Sequence, residues 1–269
     1  MENLSGKVAL VTGNSQGIGP YISRTLAREG VTIVGVARTE EGLNRTKEEI
    51  ESEGGICHSI SFDLMQIDRL SELVGQAQSL AGDIDILVNN AGIEIYNYYQ
   101  NNGAEELSSI LKINLHAPME LTRLLLPAML DRGGYIVNLA SLAGKKGMGY
   151  NSIYSASKAG MIMWTDGLRQ ELRGTKVGIS VICPGYIDTA GMFAGSHVKA
   201  PLLLGTSSPQ DVADAVLKAI QQGKAEIIVN KGPIKPLLAI GQITPRFGDT
   251  VVRWFGVPKL SRKRAEGNR

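Results

Sequence analysis

The stretch Val8-Ala9-Leu10-Val11-Thr12-Gly13-Asn14-Ser15-Gln16-Gly17-Ile18-Gly19 decides the fold. An apolar strand runs directly into a turn carrying Gly13, Gly17 and Gly19, and a helical pattern follows over Gln16–Arg28. Glycines at such a junction let the backbone turn sharply and approach a pyrophosphate, which would sit on the positive end of the helix. A tight structural turn is the competing explanation of the glycines alone. The strand before them and the helix after them favour the phosphate reading.

Outward from this turn, short β-branched runs alternate with longer helical stretches. Strands are expected at Val8–Thr12, Thr32–Val36, Ile56–Phe62, Ile84–Asn89, Gly134–Asn138, Gly178–Cys183 and Ala225–Val229. Helical patterns include Gln16–Arg28, Glu40–Glu53, Asp68–Ala81, Ala104–Leu115 and Ser152–Arg173. Right-handed crossovers would wind these units into an α/β fold, a Rossmann-type doubly wound parallel sheet of about seven strands with helices on both faces. Residues 1–230 read as one dinucleotide-binding and catalytic domain. Lys231-Gly-Pro-Ile-Lys-Pro236 marks the one boundary, and 231–269 read as a basic, partly amphipathic C-terminal helical extension.

Composition narrows the function classes. The net charge of +2 argues against a nucleic-acid binder. It hides an asymmetry, with +7 from Lys231 onward and −5 before it. No apolar run is long enough for a membrane span, and the amino terminus lacks signal-peptide architecture, so a cytoplasmic location is expected. Cys57 and Cys183 have no metal-ligand spacing and read as buried hydrophobes. His58, His116 and His197 share no ligand spacing either, and no metal site is assigned.

The candidate chemistry sits in Tyr154-Ser155-Ala156-Ser157-Lys158, where residues four apart share a helical face. A neighbouring cation favours phenolate, so Lys158 would draw the Tyr154 pKa down toward neutrality and make it a general acid or base. A shuffled chain of this composition yields about 0.4 such pairs, so spacing alone carries little. Position carries more. Ser141 follows the strand ending at Asn138, at the carboxyl edge where ligands bind in open α/β sheets. Asn89-Asn90-Ala91-Gly92 ends the preceding strand, and Asn114 lies on the helix between. Singly, Asn114 and Asn138 are better explained as caps, turn residues or satisfied core amides. The second strand ends in Ala37-Arg38 without a carboxylate, and the fork of Arg38 suits a 2′-phosphate. NADP(H) is therefore the preferred cofactor, with NAD(H) the second choice.

In these elements the chain resembles the short-chain dehydrogenase/reductase family, from about residue 5 to residue 230: Thr12–Gly19, Asp63, Asn89–Gly92, Asn114, Ser141, Tyr154–Lys158 and Pro184-Gly185 occur in the family's order. The resemblance implies reversible, NADPH-dependent reduction of a ketone or aldehyde. Tyr154 would act as general acid/base, Lys158 would tune it and hold the nicotinamide ribose, Ser141 would bind the carbonyl oxygen, and Asn114 would anchor a water-mediated proton relay. It further implies cofactor contacts from Gly13, Ser15, Gln16, Gly17, Ile18 and Gly19, then Arg38, Asp63 and Leu64, then Asn90, Ala91 and Gly92. Tyr154, Lys158, Pro184, Gly185, Ile187 and Thr189 would complete them. Asn89 would tie strands.

Substrate-facing loops would be Ile93–Tyr99, Leu142–Tyr150 and Ile187–Leu204, the last with Gly191, Gly195 and Gly205 as lid hinges. Their apolar and aromatic content suits a 3-oxoacyl, lipid-like or steroid-like carbonyl. Lys145 and Lys146 read as a solvated pair rather than contacts for an anionic carrier. A non-catalytic nucleotide-sensing protein is the alternative, disfavoured because both Tyr154 and Lys158 are present. A homodimer or homotetramer is expected, although the extension departs from the ending of the family's usual tetramer. The extension has two readings, a cover for the cleft or an interface, which is favoured, and peripheral attachment to an anionic membrane.

Overall fold

A computed structural model of the chain describes residues 1, 3–188, 205–232 and 234–267, with the side chains of 234, 235, 237 and 242 left out. Seven parallel strands form one sheet in the order β3-β2-β1-β4-β5-β6-β7. They are β1 (Val8–Thr12), β2 (Thr32–Ala37), β3 (Cys57–Ser61), β4 (Ile86–Asn89), β5 (Gly134–Leu139), β6 (Val177–Pro184) and β7 (Glu226–Val229). All seven expected strands are present, β1 with its expected bounds and the others with an end moved by at most two residues.

The helices are α1 (Gly19–Arg28), α2 (Glu40–Ser52), α3 (Leu70–Ala81), α4 (Ala104–Leu111), α5 (Ala117–Arg132), α6 (Ser152–Glu171) and α7 (Pro209–Gln222). Alternation along the central strand explains the two layers: Ala9 and Val11 join a core with Ile22 and Leu26 of α1, Ile50 of α2 and Val212 and Val216 of α7. Val8 and Leu10 point the other way, toward Leu73 of α3 and Leu121 and Leu125 of α5. Met161 and Ile162 of α6 cover the far end of that second face, against Val181 and Cys183. Burial pushes both thiols, Cys57 and Cys183, up to about 12, which keeps them protonated.

Local chemistry fixes the ends. α7 starts on a reciprocal cap in which Ser208 Oγ accepts from Asp211 N at 3.1 Å and the Asp211 carboxylate accepts from Ser208 N at 2.7 Å. It stops at Gly223, which turns with φ +62°. The helix expected over Ala104–Leu115 is not regular. α4 passes through a π-helical turn, Lys112–His116, into α5. Pro118 explains it, since it has no N–H for the carbonyl of Asn114 and its ring crowds that carbonyl.

The extension folds into α8 (Ile234–Ile243), α9 (Pro245–Trp254) and α10 (Val257–Gly267). α8 and α9 cross closely at two glycines: a Cβ on Gly248 would lie 2.9 Å from the Cα of Gly241. No helix among the described residues is long and apolar enough to cross a membrane.

Candidate active site

Strand order reverses between β1 and β4, and the glycine turn lies at that switch. Gly13 and Gly17 adopt φ +72° and +69°. Gly19 starts α1 so close to the turn that a Cβ would sit 2.2 Å from Gly13 O. Asn90 holds the turn from β4: its Nδ2 donates to Thr12 O at 2.8 Å and Gly13 O at 3.3 Å. Asn90 N and Ala91 N both donate to Thr12 Oγ1 at 3.0 Å.

Asn114 is fully buried on the π-helical turn. Its Oδ1 accepts from Ile93 N at 2.8 Å, and its Nδ2 donates to Ile93 O at 2.9 Å and Ser157 Oγ at 3.0 Å. Ser157 Oγ in turn donates to Tyr154 O at 2.7 Å. The Asn114 side chain therefore pins the loop after β4 to the helix bearing Tyr154. Asn89 and Asn138 tie strands to α6, with Asn89 Nδ2 donating to Asn138 Oδ1 and Asn138 Nδ2 to Thr165 Oγ1, both at 2.8 Å.

Tyr154 and Lys158 project from one face of α6 into a cavity of about 210 Å³ that Ser141 also lines. Lys158 Nζ donates to Leu139 O at 2.7 Å and lies 5.7 Å from the centre of the Tyr154 ring. Ser141 Oγ accepts from Ala143 N at 3.1 Å, which leaves its own proton for a partner, and the hydroxyl favours ionisation of the Tyr154 phenol.

The electrostatics differ from the sequence-based expectation. Burial, and then the charge of Glu94, hold the Tyr154 pKa above its ordinary value, with Ser141 pulling the other way. Burial also lowers Lys158, to about 8. Desolvation, not the lysine, is the leading influence on the phenol.

A sequence profile of the family described as short chain dehydrogenase matches residues 7–197. The chain belongs to the short-chain dehydrogenase family. This oxidoreductase is 53% identical to the ketoacyl reductase HetN of a Nostoc species over 272 residues, covering 99% of its own chain and 95% of the relative. That span is too long to leave out the extension. A metagenomic short-chain oxidoreductase crystallised with NADP superposes with a TM-score of 0.74 at 33% identity, covering 84% of this chain and 98% of the other. A metagenomic blue fluorescent protein crystallised with NADPH gives a TM-score of 0.79 at 28% identity, covering 86% and 98%.

The remaining expected residues of the dehydrogenase spread along the carboxyl edge of the sheet. Ile18, Asn90, Pro184, Gly185 and Ile187 line the same cavity as Ser141, Tyr154 and Lys158. Gly92 faces Asn114 and Lys158 across 3.2 and 3.4 Å from where its Cβ would be. Arg38 is exposed at the end of β2. Ser15 and Gln16 lie in the glycine turn, and Leu64 is buried beyond β3, where Asp63 Oδ1 accepts from Met65 N at 3.0 Å. Thr189 and the loop 189–204, with Gly191 and Gly195, lie outside the described residues. Lys145 and Lys146 are not a free solvated pair. They bond Glu226 at 2.5 Å and Asp249 at 2.7 Å.

The extension supplies much of the cavity wall, through Leu238, Gly241, Gly248, Val251, Val252, Phe255, Val257 and Arg264. Arg264 of α10 bonds Glu94 at 2.6 Å, both side chains being 11% exposed, and its guanidinium stacks 3.9 Å above the Tyr96 ring. Asn151 Nδ2 also donates to Glu94, at 3.2 Å. Glu94, Arg264 and Arg45 went unrecognised at the sequence level. Arg45 of α2 reaches back to the glycine turn, where its Nη2 donates to Ser15 O at 3.3 Å.

Proposed function

We propose that this dehydrogenase reduces a ketone or aldehyde with NADPH, reversibly, and that its substrate is an apolar carbonyl compound of 3-oxoacyl, lipid-like or steroid-like type. The observation that carries this reading is one cavity holding Ser141, Tyr154 and Lys158 together, walled by apolar side chains of the extension. The relative named a ketoacyl reductase points to the same substrate class.

The chain's own groups fit a nicotinamide dinucleotide. The glycine turn presents backbone at a helix terminus, and Asn90 fixes its shape. Arg38, exposed at the end of β2 with no carboxylate there, would suit a 2′-phosphate, and Arg45 adds a second cation near the turn. When bound, the cofactor supplies the hydride.

The carbonyl oxygen would accept hydrogen bonds from Ser141 Oγ and Tyr154 Oη, and the phenol proton would pass to that oxygen as negative charge develops on it. The raised pKa of Tyr154 keeps this acid loaded, which suits the reductive direction. Lys158 would hold the ribose and stabilise the phenolate left behind. Asn114 positions Ile93 and Ser157, and through them Tyr154; a proton relay through its neighbourhood would refill the phenol.

The test is NADPH oxidation measured against acyl thioesters, aliphatic ketones and hydroxysteroids. Activity confined to polar or phosphorylated carbonyls would overturn the substrate class. Tyr154→Phe is expected to lower kcat/KM by about 10²–10⁴-fold with NADPH affinity nearly unchanged, and retained turnover would overturn the role of the phenol.

A further inference from the structure

The extension has a second side that the cavity does not use. Among the described side chains of α8 the exposed ones are Pro236, Ala239, Ile240 and Ile243, none of them charged, and Ile243 is 82% exposed. On α9, Phe247 and Trp254 are seven residues apart and therefore nearly aligned, and Trp254 is 89% exposed. Arg246 and Arg253, also seven apart and exposed, flank them on the polar side of that helix. The acid between them, Asp249, is taken by Lys146. α10 adds exposed Lys259 and Lys263. Two helices locked together at Gly241 and Gly248 thus hold an exposed apolar face beside exposed cations. Solvated protein surface does not favour that combination.

We propose that the outer face of α8 and α9 docks on an anionic lipid bilayer, with Ile243, Phe247 and Trp254 entering the interface and Arg246 and Arg253 meeting the lipid headgroups. Charge selects this occupant. The segment from Lys231 onward carries +7 against −5 for the rest of the chain, so the attraction to an anionic surface is concentrated where the apolar side chains are. A second copy fits less well, because a two-fold contact would set this basic face against itself. Phe247 and Trp254 also border the stripe of α9, Val251 and Phe255, that lines the cavity. Docking there would put the wall of the cavity beside the lipid phase.

The experiment uses the full chain with vesicles of phosphatidylglycerol mixed into phosphatidylcholine, and of phosphatidylcholine alone. Binding is read by cosedimentation and by the emission of Trp254, with Trp254→Phe identifying the signal of Trp164. Wild type is expected to bind the anionic vesicles, to lose binding as salt rises, and to shift its emission to the blue. Ile243→Ser with Trp254→Ser is expected to bind about tenfold or more weakly, with unchanged melting temperature, since both side chains are exposed. Arg246→Gln and Arg253→Gln are each expected to cost about fivefold. No partition of wild type into anionic vesicles overturns the proposal. So does partition that the double variant keeps, or a lipid-free self-association that the double variant abolishes.

Discussion

Glu94 Oε1 and Arg264 Nη2 lie 2.6 Å apart, joining the loop after β4 to α10 at the wall of the cavity that holds Tyr154. The pair is mostly shielded from water, and the same carboxylate acts on the Tyr154 phenol. Stability and acidity therefore meet in one contact.

The sign of the acidity effect is fixed. Glu94 raises the pKa of Tyr154, so Glu94→Gln is expected to lower it. Alcohol oxidation needs the phenolate, and its rate rises with pH until the phenol is ionised. Its alkaline limb should therefore move to lower pH in the variant, and the decline of carbonyl reduction at high pH should move the same way. Profiles of kcat/KM in both directions check this, and unmoved limbs would exclude Glu94 as a charge that acts on Tyr154.

Arg264→Met removes the counter-charge and leaves Glu94 shielded with only the amide of Asn151 as partner. A loss of roughly 3 kcal/mol is expected in urea unfolding. Adding Glu94→Gln should restore most of it, because the orphaned charge is then gone. A double variant no more stable than Arg264→Met would mean that the stack on Tyr96, not the ion pair, holds α10.

Arg38→Asp places a carboxylate at the end of β2, where it would repel a 2′-phosphate and accept from a ribose 2′-OH. NADPH affinity is expected to fall and NADH affinity to rise, reversing the order by tenfold or more, about 1.4 kcal/mol. Titrating each cofactor by quenching of protein fluorescence gives both constants. An unchanged ratio would remove Arg38 from the site and shift attention to Arg45.

Gly19→Ala tests the glycine turn. Its methyl group would need the space of Gly13 O, backbone that cannot swing aside as a flexible side chain can. Cofactor affinity should drop at least about tenfold, with a lowered melting temperature. Gly75→Ala, on exposed helix surface with nothing near its Cβ, is the matched control and should leave cofactor affinity unchanged while the melting temperature stays or rises slightly.

What the sequence made legible was local. The glycine turn, the strand ends and Tyr154–Lys158 each sit within a few residues, and helical or strand periodicity places them without tertiary knowledge. The crossover rules then gave a doubly wound parallel sheet, whereas the order of its strands came from the structure. Asn114 was found, but the widened turn beneath it was read as plain helix, although Pro118 four residues on was a usable signal. Arg264 was read only as part of a basic end, since nothing in spacing links it to a glutamate 170 residues earlier. The tyrosines after β4 were read as facing substrate. Tyr96 does line the cavity, but Tyr98 instead donates to Glu266 at 3.1 Å, so part of that aromatic run holds α10. The tuning of Tyr154 was misjudged because burial, its leading cause, is a property of the packed state.

The separation of Glu94 from Arg264 has a consequence for a chain emerging from the ribosome. Residues 1–230 already contain the whole sheet and every motif of the reaction, and can begin to pack during synthesis. The wall of the reaction chamber is still missing then, and the glutamate beside the phenol waits without its counter-charge. Only when residue 264 has been made and α10 has docked does the cavity that Tyr154 faces have its full wall.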